Sequence, residues 1–238
     1  MIVSDNKVPQ PPLTQTNQKP LTHKNKENQD PHPVSVPFKL SREERIFNDI
    51  MSCYATRALY LRAISTYNPQ RLPHIPSKQW TLRSVSPEES AFGGCCDFGG
   101  CCDFQTQTIG FDQNSSYENA LATVIFELTN AEQAQEYYRL NQGLLNGRLS
   151  VEENAIGMEK LEYRGVHRHH QIVLDAIYEK GWSDAIDHYK ETVQQSFAEY
   201  MRVNEVSGHT DAYRTGARGV VRQRVHHAMR WYIVSNRL

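Results

Sequence analysis

Phe126-Glu127-Leu128-Thr129-Asn130 sets a carboxylate and a carboxamide three residues apart. On a helix those two side chains share a face. A glutamate so placed can hold or take a proton, and an amide one turn further on can orient it or a neighbouring water. The apolar stripe of the same helix runs through Tyr117, Leu121, Val124, Ile125, Leu128 and Ala131. Glu127 and Asn130 fall away from that stripe, so the pair either faces water or lines a cleft.

A second group of chemically capable residues lies in Glu159–His170. Glu159, Tyr163, Val166, His170, Val173 and Ile177 recur at steps of three and four, the spacing of one helical face. Glu159 and His170 then share a partly apolar surface, the setting in which acid–base work becomes feasible. Glu162 follows Glu159 by one turn. The same run also reads as a solvated helix with ordinary ion pairs. His167 and His170 are close enough for one face, and His226-His227 adds nitrogen donors. No C-x-x-C or H-x₃-H pair completes a tetrahedral metal set.

The five cysteines are Cys53, Cys95, Cys96, Cys101 and Cys102. An odd count argues against a fully paired disulfide framework and for reduced thiols. Four of them sit in an unaltered tandem hexapeptide, Phe92–Asp97 followed by Phe98–Asp103. A Cys–His hydrolase is one reading of that segment. Its nearest charges, Asp97 and Asp103, are the wrong sign to stabilise a thiolate.

The C-terminal segment is basic. After Asp211 there is no acidic residue, while Arg214, Arg218, Arg222, His226 and Arg230 recur every four residues. Arg214, Arg218, Arg222 and Arg230 could receive a phosphate, an acidic peptide or an anionic lipid. Docking of the helix on the acidic Glu152–Glu162 stretch is the competing expectation.

These residues need elements to hold them. Residues 1–40 contain all seven of the prolines that precede Pro69, with mostly Gln, Asn, Lys, Thr and Ser between them. Such a stretch buries too little apolar surface to offset its ordering entropy, and a disordered tail is expected. Residues 41–238 should form one globular domain of α+β class: four or five helices with a small hairpin or sheet. Three S-x-x-E boxes, at Ser41, Ser115 and Ser150, mark helix starts. The first helix carries Ile46, Ile50, Cys53, Tyr54 and Leu61 and should stop before Pro69. A short strand is expected near Trp80–Val85 and another over Thr106–Asp112, with Ile109 and Phe111 on one side. The second helix should reach about Asn141. The third should run from Ser150 towards Glu179, either broken at Gly165 or continuous through it. A fourth is expected from Ser183 to about Val206 and a last one over about Thr215–Ser235.

The order strand, polar loop and capped helix over Thr108–Glu162 resembles the zincin metallopeptidases. In that family the helix carries H-E-x-x-H, whose histidines hold zinc and whose glutamate is the general base. Here Glu127 matches the glutamate, while Phe126 and Asn130 stand in the histidine positions. The resemblance implies a zincin-like scaffold without the usual zinc ligands, with Glu159 or Glu162 where a third ligand belongs. It implies catalytic roles for Glu127, Asn130 and Glu162, with Glu159 and His170 as further candidates. Zinc is a candidate cofactor on this resemblance alone.

Bulk properties narrow the classes. The net charge of −1 among 238 residues is no basis for chain-wide electrostatic binding of nucleic acid. No stretch approaches the ~20 apolar residues of a membrane span, and the N-terminus lacks the apolar core of a signal peptide. A cytoplasmic protein, or one exported without a classical signal, is expected. Three functions are compatible: a metallopeptidase-like effector or regulator that engages a peptide or protein, a non-enzymatic interaction module using the tail and the basic helix, or a cysteine-dependent hydrolase.

Overall fold

The computed structural model describes residues 40–66, 80–86, 100–104 and 106–235, with side chains to 225. The expected tail and the first copy of the hexapeptide lie outside those residues, and so do the side chains of His226 and His227. Residues Leu40–Leu238 form one compact unit. Its described elements are seven α-helices, three strands and two short 3₁₀ turns, which is the helix-dominated α+β class expected.

Helix α1 (Arg42–Ser52) opens with a full capping box: the Ser41 hydroxyl accepts from the Glu44 N–H, and the Glu44 carboxylate accepts from the Ser41 N–H at 2.7 Å. The single helix expected here is in fact two. Cys53 adopts an extended conformation, and α2 (Tyr54–Thr66) restarts behind it. The Glu179 carboxylate accepts from the Tyr54 N–H at 2.9 Å, so a residue 125 positions away caps the new helix. The break turns a different face inward. Ile46 and Ile50 are buried in α1, but Thr56, Leu59, Tyr60 and Ala63 are buried in α2, leaving Tyr54 and Leu61 exposed.

Three strands follow: β1 (Thr81–Val85), β2 (Gly100–Asp103) and β3 (Thr108–Asp112). β3 is central, parallel to β1 and antiparallel to β2. Ile109 and Phe111 are fully buried on it, as their alternation requires. The second hexapeptide copy thus supplies β2.

Helix α3 (Tyr117–Glu132) begins one residue later than its sequence box suggests. Ser116, not Ser115, is the cap, accepting from the Asn119 N–H, while Ser115 donates to the Asp112 carbonyl. Every residue from Ala120 to Ala131 is buried. A helix enclosed all round has no solvated side, so Glu127 and Asn130 cannot be surface residues. The chain bends at Gln133 and continues as α4 (Ala134–Leu145) instead of ending near Asn141.

Helix α5 (Val151–Lys180) starts at the Ser150 capping box and ends on left-handed Gly181. It does not break at Gly165. A β-carbon there would stand 3.1 Å from Thr129 Oγ1 and 3.2 Å from Asn130 Oδ1, so the glycine lets α5 approach α3 closely. Ser183 caps only the 3₁₀ turn Asp184–Ile186. The helix expected from there starts later, as α6 (Phe197–Ser207), behind a Ser196–Glu199 capping box. Gly208, at φ 85°, is the one-residue joint to α7 (His209–Ser235), which begins six residues before the expected Thr215.

The main core packs α1, α2, the sheet, α3 and α5 around Ile46, Leu59, Ile109, Phe111, Ile125 and Leu128. Full burial of each such side chain is worth ~1.5–3 kcal/mol. A second cluster joins Phe126, Val166, Tyr189 and Tyr200, and a third joins Tyr137, Met158 and Leu161. Between these clusters the packing is open.

Candidate functional site

A cavity of about 220 Å³ lies where α3, α4, α5 and α7 meet the edge strand β2. Glu127 and Asn130 reach it from α3, Tyr137 and Asn141 from α4, Met158 and Glu162 from α5, and His209, Ala212 and Tyr213 from α7. Cys102 and Phe104 close the strand side. Gly100 on β2 lies directly over α3: a β-carbon there would collide with Thr123 Cγ2 and stand 3.1 Å from Glu127 Oε1.

A hydrogen-bond relay crosses the cavity wall. Asn130 Nδ2 donates to Glu127 Oε2 at 3.3 Å, and the Tyr137 hydroxyl stands 3.4 Å from Asn130 Oδ1 and 2.9 Å from Glu162 Oε1. The Tyr213 hydroxyl donates to the same Glu162 oxygen at 2.8 Å. Burial pushes the Glu162 carboxyl above the ordinary carboxylate range, and the Tyr213 and Tyr137 hydroxyls only partly offset it. Burial, followed by the Glu162 charge, drives the Tyr137 phenol well above its usual range, so it stays protonated and donates. The three residues expected to share chemistry, Glu127, Asn130 and Glu162, do line one cavity.

Glu159 does not join them. Its carboxylate is fully buried beneath α6 and α7, where Asn204 Nδ2 donates at 2.7 Å, the Thr210 hydroxyl at 2.7 Å, and His209 Nδ1 lies at 3.0 Å. Burial alone would raise this carboxyl, but the hydrogen bonds from His209, Thr210 and Asn204 together hold it below the usual range. It is a structural anchor that fixes the start of α7, and hence His209 and Tyr213, at the cavity. The expected pairing of Glu159 with His170 is absent: His170, roughly 16 Å further along α5, places Nδ1 2.7 Å from Asp187 Oδ2. Steps of three and four put residues on one stripe, but over eleven residues that stripe passes from one neighbour to another.

Phe126 and Asn130, in the two histidine positions of the zincin pattern, are both on the cavity wall. Phe126 stacks at 4.8 Å on Tyr189 and has no donor atom, while Asn130 gives its amide to Glu127. No group of three or more His, Cys, Asp or Glu side chains among the described residues is arranged to hold a metal ion. These donors do not fit zinc.

The basic helix is partly committed. Arg214 bonds Glu152, Glu205 and Asp211 at once, which leaves it unsuited to an external anion. Arg218 and Arg222 are exposed, and the side chain of Arg230 lies outside the described residues. Among the described residues no helix is long and apolar enough to cross a membrane.

Tyr137, Tyr213, Asn204, His209 and Thr210 were not legible as site residues. They come from elements 25 to 51 positions distant from their glutamates, and no spacing pattern marks them. No protein-family model, curated protein or solved structure matches the chain.

Proposed function

We propose that the chain is a zincin-like domain that has given up its metal and acts as an effector or regulatory protein, engaging a peptide through the Glu127–Glu162 cavity. The observation that supports this reading most is that Glu127 from α3 and Glu162 from α5 line one cavity, with the two substituted histidine positions, 126 and 130, on the same wall. In a hydrolytic cycle Glu127 takes a proton from water, while Asn130 and Glu162 orient the water and the substrate. Without zinc, hydrolysis rests on these carboxyls alone, so binding outlasts catalysis as the main role.

Restoring the motif tests the ancestry. The double variant Phe126→His, Asn130→His should bind one zinc ion per chain, with Glu162 as the third protein ligand, while the parent chain binds none at that place. A folded double variant that takes up no zinc at micromolar concentration overturns the zincin reading.

A second reading is favoured by one observation: Arg218 and Arg222 point outward on α7 while Arg214 is tied down. In this reading α7 contacts an acidic partner. Replacing both exposed arginines by glutamate should abolish partner capture with thermal stability unchanged; capture that persists excludes it. Among the described cysteines, Cys102 is the one on the cavity wall and the one through which the cysteine-hydrolase reading can be tested. Slow, ordinary alkylation of Cys102 would dispose of it.

A further inference from the structure

Glu162 is unevenly served. Its Oε1 accepts from two hydroxyls, those of Tyr137 and Tyr213, whereas Oε2 has no hydrogen-bond partner among the described residues. Both donors are neutral. The described residues lining the cavity include no lysine or arginine, and the one histidine there, His209, turns Nδ1 to Glu159. The rest of the wall is largely aromatic and apolar: Phe104, Phe126, Tyr137, Tyr213 and Met158.

A carboxylate at the end of an aromatic-walled hollow is suited to one kind of guest. Ring faces attract cations through their quadrupoles, worth ~0.5–2 kcal/mol each when desolvated. They also receive the methylene stem that carries a charged head. An anion would meet the Glu162 carboxyl with no lysine or arginine among the described lining residues, and a purely apolar guest would strand its second oxygen. The volume, about 220 Å³, equals roughly seven waters at ~30 Å³ each. That suits one side chain and falls below the ~300–1,000 Å³ of typical small-molecule pockets.

We propose that this cavity binds an alkylammonium or guanidinium group, as carried by a lysine or arginine side chain of a peptide, with the charge against Glu162 and the stem among the rings. The proposal rests on the cavity being the ligand site and is independent of zincin ancestry. Its failure would therefore be separable from failure of the motif-restoring variant to bind zinc.

Cation binding and ionisation of Glu162 favour one another. Burial raises the Glu162 carboxyl above its usual range, and an arriving cation acts in the opposite direction. The titratable groups around Glu162 are Tyr137 from α4, Glu127 from α3, His209 and Tyr213 from α7, and Glu159 on its own helix.

Titration calorimetry on the full chain decides the matter. The probes are n-butylammonium, n-butylguanidinium and N-acetyl-lysine methylamide, set against neutral N-acetyl-norleucine methylamide and anionic pentanoate. The cations should bind at least tenfold more tightly than the norleucine amide, and pentanoate should not bind. Cation affinity should rise with pH as Glu162 ionises. Glu162→Gln should bring the lysine amide to the norleucine level. If that variant does not fold, the preference of the parent chain for the lysine amide over the norleucine amide still decides. Tighter binding of the lysine amide than of butylammonium supports a peptide side chain as the source. Equal binding overturns the peptide assignment in favour of free amines. Equal affinity for lysine and norleucine amides overturns the proposal.

Discussion

Asn130 Oδ1 lies 3.2 Å from the point that a β-carbon on Gly165 would occupy. Helix α5 therefore rests on the residue that also holds Glu127, and the helix contact and the cavity wall are one structure. Gly165→Ala would gain ~1 kcal/mol of helix propensity and lose ~1–3 kcal/mol to overpacking. Thr129 and Asn130 are both held by hydrogen bonds, so they yield poorly, and a net loss of ~1 kcal/mol is expected. Urea unfolding should show it, with Gly165→Val losing more.

Gly100 presses on the same wall from the sheet side. Gly100→Ala would force Thr123 and the Glu127 carboxylate aside, at a cost of ~1–3 kcal/mol. The variant should weaken ligand binding beyond what its stability loss explains. Calorimetry of the folded variant, with the probes named above, checks this.

Glu159 ties α5 to α6 and α7. Glu159→Gln replaces a carboxylate that accepts from Asn204 and Thr210 with an amide, and a loss of ~1–3 kcal/mol is expected at neutral pH. The carboxyl of Glu159 is held below its usual range in the fold, so its contribution is present above the unfolded value and is lost as pH falls through the folded one. The gap between parent and variant should therefore close in acid. A gap that stays constant from neutral pH to about pH 3 would contradict the assignment.

His169 is buried against Phe126 and Tyr189, with Nε2 3.2 Å from the Ala122 carbonyl. Burial holds its pKa down, to about 3. The unfolded chain takes up the proton first, so stability should fall by ~1.4 kcal/mol per pH unit as pH drops below ~6.5. His169→Phe removes this component. Denaturation midpoints at about pH 7 and about pH 5 should converge in the variant relative to the parent.

On the zincin-like function proposed above, peptide hydrolysis would depend on Glu127. Glu127→Gln should lower the rate by at least ~10²-fold, the usual scale of a lost general base, with circular dichroism unchanged. Chelators should not affect the parent rate, because the wall offers zinc no histidine at 126 or 130.

The sequence by itself determined what local chemistry controls. The Ser41 and Ser150 boxes start helices because their hydroxyls reach N–H groups three residues on. Ile109 and Phe111 define the inner side of β3 because strand side chains alternate. Glu127 and Asn130 lie one turn apart because a helix has 3.6 residues per turn. Tertiary structure decided the rest. It broke the first helix at Cys53, because the distant Glu179 carboxylate offered a cap. It kept α5 continuous through Gly165, because close approach to α3 needed a residue with no side chain. It also sent Glu159 to α6 and α7 but Glu162 to the cavity, although they are only three residues apart. A stripe shows which residues share a face, but the partner met along that face depends on how whole helices cross, and no local spacing encodes that crossing.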